Sequence, residues 1–332
     1  MIVLFTILVL SVILVNGWTD APNAISTCVS SRSMSPGGAL CLAAVCNFTG
    51  SVAMALINSR VAKTIFNIVN LSDNPDVALS SLCAGMCAVV IWAIAAWRFG
   101  IPTSESHALI SGITGAALAS TKSISSINLE EWRLVLCGLF FSTLPAFILA
   151  SIIYTLMTRI LGRFERRKMI KYFMRTQRCS AATSALLHGA QDSQKFMGVF
   201  MLGFSLISQN TLSDTFELPL FVIFSCAAVM TLGTLIGGGR IIKKIGMDMV
   251  SLDAAGGTAA DMSSSAVLAV CSFFGIPVST THSKACAMMG VGASLGSGGT
   301  NKKIVSQMLC AWLLTFPICF CIGFLLAFFI SP

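Results

Sequence analysis

Charge is what this sequence has least of. Its 21 Lys and Arg and 13 Asp and Glu make up 10% of 332 residues, against about 25% in a soluble globular domain. Hydrophobic residues fill 55% of the chain, and the mean hydropathy is +0.86. So little charge excludes a water-solvated globule and leaves an integral membrane protein. The start is not expected to be a secretory leader. Met1-Ile2-Val3-Leu4 carries no basic residue, and the first apolar run leads into Asn16-Gly17-Trp18-Thr19-Asp20 in place of a small-residue cleavage site. Cysteines number 13, yet none form Cys-x-x-Cys sets with metal spacing; Cys83 and Cys87 lie one helical turn apart, Cys319 and Cys321 two residues apart. They read as small reduced core residues. No Gly-Lys-Ser/Thr follows Gly237-Gly238-Gly239, whose neighbours are Arg240, Lys243 and Lys244, so that run is a helix end with positive flanks and not a nucleotide loop.

What is present is a series of apolar stretches, near 1–16, 38–58, 77–97, 130–157, 181–208, 217–236, 262–275, 283–297 and 305–330. About 20 apolar residues cross a bilayer core of about 30 Å as a helix. The expected fold is an all-α integral membrane protein with about 10–12 membrane segments. Segments 1–16 and 262–275 are short for a span, and the Gly-, Pro- and Ser-rich pieces beside them read as half-helices or re-entrant helical hairpins.

The net charge of +8 is concentrated. Arg159, Arg163, Arg166, Arg167, Lys168, Lys171, Arg175 and Arg178 are opposed only by Glu165. They sit between two hydrophobic halves without a nucleic-acid-binding motif, so nucleic acid is not an expected partner. The 159–178 stretch reads as a cytoplasmic loop of a multi-pass plasma-membrane protein, in contact with anionic lipid. It divides the chain into a first transmembrane repeat, 1–157, a basic linker, 158–180, and a second repeat, 181–332.

The two halves repeat a pattern. Phe99-Gly100-Ile101-Pro102-x-Ser104-x-x-His107 recurs as Phe274-Gly275-Ile276-Pro277-x-Ser279-x-x-His282, and Gly17-x-x-Asp20 matches Gly189-x-x-Asp192. The gap between the two motifs is 82 residues in one copy and 85 in the other. Duplicated units interrupted by Gly, Pro and hydroxyl residues are how secondary transporters build a site near the bilayer midplane. An odd number of crossings per half would give inverted-topology repeats, the arrangement that supports alternating access.

All three histidines, His107, His188 and His282, lie in these motifs, as do Asp20, Glu105 and Asp192. Ionisable groups at membrane depth cost several kcal/mol or more unless paired, hydrated or ion-bound, so their default reading is functional. For the histidines, an interhelical hydrogen bond is the stronger alternative. Thr103, Ser104 and Ser106, with Ser279, Thr280 and Thr281, cluster hydroxyl donors between a proline and an expected helix start. Helix N-termini hold oxyanions through amides and hydroxyls, which makes these six a candidate anion cradle. Anion entry against a negative-inside potential needs a coupled cation, and Asp20 with Asn23, and Asp192 with Gln194, offer hard oxygen ligands for Na⁺ or a carrier for H⁺. A Na⁺ ion is expected at Asp20, Asn23 and Asp192 if that is the coupling ion. Lys195 is open between pairing with Asp192, meeting the anion, and snorkelling to an interface.

These residues resemble the inorganic phosphate transporter (PiT) family, which carries a duplicated Gly-x-Asn-Asp-x-x-Asn-like motif and a duplicated Pro-x-Ser-x-x-His-like hairpin motif. The resemblance spans nearly the whole chain. His188-Gly189-Ala190-Gln191-Asp192-Ser193-Gln194-Lys195-Phe196-Met197-Gly198 and Pro277-Val278-Ser279-Thr280-Thr281-His282-Ser283 carry it most clearly. It implies a symporter, homodimeric, that binds inorganic phosphate on the hairpins and its cations on the duplicated aspartates, with no cofactor beyond the coupling ion, Na⁺ or H⁺. Thr19 and Gln191 stand where the family has Asn before the Asp, and Asn47 stands at a position resembling a family glutamate, with Asp261 as the acidic partner in the second half. Glu105 departs from the Ser-Thr-Thr of the second hairpin and would repel a dianion if ionised beside it.

Sulfate or another oxyanion is the rival substrate, since hydroxyls and amides do not separate the two. An anion channel is a more remote reading. So is an intramembrane hydrolase built on Ser104 and His107 or Ser279 and His282; repetition of the residues in both halves suits a symmetric cradle better than a single catalytic centre. No enzymatic activity is expected.

Overall fold

A computed structural model describes residues 1–330 except 102, 162–165, 209–215, 238, 240–241 and 297. Among the described residues the regular elements are helices, with isolated bridges at Val69–Ile127 and Val250–Thr300. In chain order they are α1 (Ile2–Thr19), α2 (Ala21–Ser30), α3 (Pro36–Ile57), α4 (Arg60–Phe66), α5 (Pro75–Phe99), α6 (Glu105–Thr121), α7 (Leu129–Leu161), α8 (Arg166–Ser208), α9 (Leu220–Ile236), α10 (Ala254–Phe274), α11 (Thr280–Ser294) and α12 (Lys302–Ile330). A π-helical segment, Ile242–Met249, packs against α2.

Six helical stretches are long and apolar enough to cross a membrane: Ile2–Ser30, Pro36–Ile57, Pro75–Phe99, Leu129–Ile160, Ala254–Phe274 and Lys302–Ile330. Segments 1–16 and 262–275, which look short in sequence, are parts of longer helices. Their polar continuations are buried against other helices, so the apolar run underestimates the element. The reverse holds for α8. Its 43 residues carry both the basic stretch and the second signature, and so fall short on apolarity although residues 188–203 are buried. The rest of the basic stretch runs from the end of α7 into α8, with Arg163 and Glu165 outside the described residues; so are Pro102, Gly238 and Arg240 of the motifs above. Lys171 and Arg175 are exposed on the first turns of α8.

Burial is inverted at the periphery, as in a protein solvated by lipid. Leu136, Phe140, Ile152, Leu313, Leu325 and Phe329 are exposed on α7 and α12. The spanning windows of those helices are 22% buried, against 67% for α5 and α10, which places α5 and α10 centrally.

The repeat is visible in local structure. α5 and α10 each end in a left-handed glycine, Gly100 (φ 62°) and Gly275 (φ 74°). In each, the next residue's amide reaches back over the last turn, Ile101 N–H to Ala96 O and Ile276 N–H to Cys271 O, both at 2.9 Å. That is a Schellman turn made twice, and it explains Phe-Gly-Ile-Pro as a stop signal. Two residues past each proline, Ser104 and Ser279 cap the following helix by accepting from the His107 and His282 amides, both at 3.2 Å.

Tertiary contacts repeat as well, with the halves exchanged. A Cβ at Gly115 on α6 would overlap the Phe320 carbonyl of α12, and one at Gly290 on α11 would overlap the Phe147 carbonyl of α7. Likewise a Cβ at Gly17 on α1 would meet Met230 O on α9, and one at Gly189 on α8 would meet Asn47 O on α3. Each half thus docks its signature helix and its second hairpin helix onto the other half. Proline stands inside both α7 (Pro145) and α12 (Pro317).

Candidate functional site

The exchange of helices brings the four motifs together. His107 and His282, at the third positions of α6 and α11, meet edge to face with ring centroids 4.6 Å apart. His107 stacks on Phe316 at 4.5 Å, and His282 lies against Trp312 at 3.8 Å. Among the described contacts neither His282 ring nitrogen has a hydrogen-bond partner. Both rings act here as aromatic packing between the hairpin ends. The Ser-x-x-His spacing is therefore the spacing from a capping hydroxyl to a backbone amide, with no serine-to-imidazole pair for nucleophilic chemistry.

Asp20 sits where α1 gives way to α2. Pro22, in the first turn of α2, lacks the N–H that would continue the ladder. Asp20 Oδ1 accepts from Thr281 Oγ1 at 2.6 Å and from Asn23 Nδ2 at 3.2 Å, and Asp20 Oδ2 from Asn16 Nδ2 at 3.4 Å. Asn23 Nδ2 also donates to Thr281 Oγ1 at 2.9 Å. Thr19 donates to Glu105 Oε1, so the extra carboxylate of the first hairpin turns toward the aspartate turn. Asn16 Oδ1, Asn23 Oδ1 and Glu105 Oε2 are buried without a hydrogen-bond partner.

Asp192 lies on an unbroken α8, which places His188, Asp192 and Lys195 on one face. Its Oδ1 accepts from Lys195 Nζ, and its Oδ2 from Thr280 Oγ1 at 3.0 Å, with His188 Nε2 at 3.3 Å. Lys195 Nζ donates in addition to Ser106 Oγ at 2.6 Å and to Val278 O. His188 Nδ1 is 3.1 Å from Asn47 Oδ1, and Asn47 donates to Thr234 Oγ1 at 3.0 Å. This chain orients the imidazole against Asp192.

The structure does not bring every expected residue here. Gln194 stands two residues from Asp192 and so faces another way on the helix. It donates to Asn58 O at 2.8 Å and accepts from the Ala62 amide. The residue at the position of Asn23 is Lys195. Gln191 binds Ile276 O at 2.9 Å and Ser272 at 2.6 Å, bracing the second hairpin turn. Thr103 lines a groove beside Trp92, Phe99 and Lys244, apart from the other five hydroxyls. Asp261 forms a neighbouring centre of its own, accepting from Lys284, from Thr27 at 2.8 Å, from Gln177 at 2.7 Å and from Ser180 at 3.1 Å. Lys284 also donates to Ala24 O at 3.0 Å. A small cavity lined by Asn23, His188, Thr280 and Lys284 touches residues of both centres. Lys284, Asn16 and Gln177 escape a motif search. For Lys284 a signal existed, since a lysine two residues past His282 inside a membrane segment is costly unless paired.

The centre is sealed: Asp20, Asn23, Glu105, Ser106, Asp192, Lys195, Thr280 and Thr281 are each at most 4% exposed. It combines cap hydroxyls and two helix N-termini, suited to an anion, with carboxylates and amide oxygens suited to a cation.

The signature described as "Phosphate transporter family" matches residues 16–323. The chain belongs to the phosphate transporter family. A Bacillus subtilis protein named "Probable low-affinity inorganic phosphate transporter" is 34% identical over 328 residues, 99% of this chain and 96% of that one. A Rhizobium meliloti protein of the same name is 33% identical, with 91% and 88% of the two chains covered. A solved structure titled "The sodium-dependent phosphate transporter" superposes with a TM-score of 0.80 at 20% identity, over 99% of this chain and 98% of that one. The fold is thus that of this neighbour. Family membership makes the chain a multi-pass membrane phosphate transporter and not an enzyme.

Proposed function

We propose that this phosphate transporter imports inorganic phosphate in symport with a cation, Na⁺ or H⁺, by alternating access of one centre shared between two inverted repeats. The observation that carries the reading is the convergence of both hairpin ends with both signature aspartates in a single buried cluster. Phosphate would be held at the N-termini of α6 and α11 by Ser106, Thr280 and Thr281, with Ser104 and Ser279 fixing the helix ends and Thr103 on the approach. The cation would bind at Asp20 and Asn23, with Asp192 as the carboxylate of the second half. Because the centre is buried on every side, an ion reaches it only when the halves move apart. The exchanged glycine contacts between α6 and α12 and between α11 and α7 supply flat surfaces for such sliding.

The reading places residues 1–157 and 181–332 as the repeats and 158–180 as a cytoplasmic connection, with exposed Lys171 and Arg175 facing anionic headgroups. It includes the plasma-membrane homodimer that the family resemblance implies.

The test is ³²P-phosphate uptake by proteoliposomes under an inward Na⁺ gradient, an inward H⁺ gradient or none, with excess cold sulfate as competitor. Concentrative uptake under one gradient, unaffected by sulfate, is the expected outcome and names the ion. Equal uptake with and without gradients would mean a channel.

A further inference from the structure

The two signatures differ at one position in a way that changes the charge of the site. Asn23 follows Asp20 by three residues and Lys195 follows Asp192 by three. Their head groups make repeat-related contacts. Asn23 Nδ2 donates to its own half's Asp20 and to Thr281 of the other half. Lys195 Nζ donates to its own half's Asp192 and to Ser106 of the other half. Ser106 and Thr281 are themselves counterparts, each two residues past the capping serine. One place therefore holds a neutral amide and the other an ammonium ion.

The surroundings of that ammonium are a cation's. Lys195 is wholly buried, and its three partners are a carboxylate, a hydroxyl and a backbone carbonyl, Val278 O. Hard oxygens of these types are what a small cation takes from a protein. In the first half the same region is left short of positive charge. Asn16 Oδ1, Asn23 Oδ1 and Glu105 Oε2 are buried without partners around the Asp20 turn, and no basic residue stands among the groups bonded to Asp20. Buried unpartnered oxygens beside a carboxylate are satisfied by an ion or a proton.

We infer that Lys195 is a tethered cation: its ammonium group permanently fills the second of the two repeat-related cation places, so that the mobile coupling ion binds on the Asp20 side only. This rests on the symport reading above and refines it. The second half contributes charge that travels with the protein and never with the substrate. Glu105, which the second hairpin replaces with Thr280, falls on the side that lacks the lysine, where an added carboxylate strengthens the pull on a mobile ion.

Equilibrium binding of ²²Na⁺ to the purified full-length chain tests this without requiring transport. Lys195→Asn rebuilds the first-half amide in the second half and is expected to bind one Na⁺ per chain more than the wild type. Lys195→Gln supplies the same oxygen and serves if the first variant does not fold. Lys195→Arg keeps the tethered charge and is expected to bind no more than the wild type. The same Na⁺ count in the wild type and in a folded Lys195→Asn or Lys195→Gln protein would overturn the inference, as would a gain in Lys195→Arg. Absence of gradient-driven ³²P uptake by the wild type would instead remove the symport reading and leave the binding count standing.

Discussion

Single residues in this chain carry separate duties that the motif letters do not distinguish. Ser104 and Ser279 are caps, while Ser106 and Thr281, two residues on, reach the signature helices. Ser104→Ala should therefore act mainly on stability, costing about 1 kcal/mol as a lost cap, which a melting curve of the purified protein would register. Thr281→Ala removes a donor to Asp20, so its loss should appear as a higher cation requirement for uptake with little change in melting. If both variants affected uptake alike and melting not at all, this division of labour would be wrong. Asp20→Asn deletes the carboxylate on the side without a lysine. It should lower gradient-driven uptake by about tenfold or more, the scale of one charge-assisted contact, and normal concentrative uptake in that variant would sink the cation site. His188 was legible as a neighbour of Asp192, because the two lie one helical turn apart on the same helix. Its link through Asn47 to Thr234 was not, because those residues are 141 and 187 positions from their partners.

At the level of elements, glycines set which helices can touch. Gly115 and Gly290 lie at corresponding points of α6 and α11 and let them meet the Phe320 and Phe147 backbones of α12 and α7. A Leu at either position has no side-chain space to enter, and the overlap is with backbone, so Gly115→Leu and Gly290→Leu should each destabilise by about 3 kcal/mol or more. Denaturant-dependent unfolding in detergent would measure this, and a stability close to the wild type in both would contradict the packing. The stop signal of α5 and α10 was present in the letters Phe-Gly-Ile-Pro, since only glycine readily adopts the left-handed turn at Gly100 and Gly275. Helix lengths were less legible. Apolar runs undercount α1 with α2 and α10, because polar residues that face other helices extend an element without raising its hydropathy.

Across the whole molecule, the exposed apolar faces of α7 and α12 and the sealed polar centre define opposite chemical environments. If the basic connection is cytoplasmic, a cysteine at Lys171, in a background lacking exposed Cys41, Cys179, Cys310 and Cys321, should react with an impermeant maleimide only in inside-out vesicles. Labelling from the outside face would reverse the proposed topology. The membrane class, the duplication, the polar motifs and the resemblance that the family match bears out are legible in the letters alone, because ionisable residues and Gly-Pro punctuation are costly in lipid and stand out against a background of low charge. Which of those residues meet was settled by helix packing. It joined Thr281 to Asp20 across 261 positions, set Asp261 apart with Lys284, turned Gln194 away and put Lys195 in its place. The physical reason is that side-chain direction on a helix changes by about 100° per residue, and partners from the opposite half arrive only through helix packing, which no local pattern encodes.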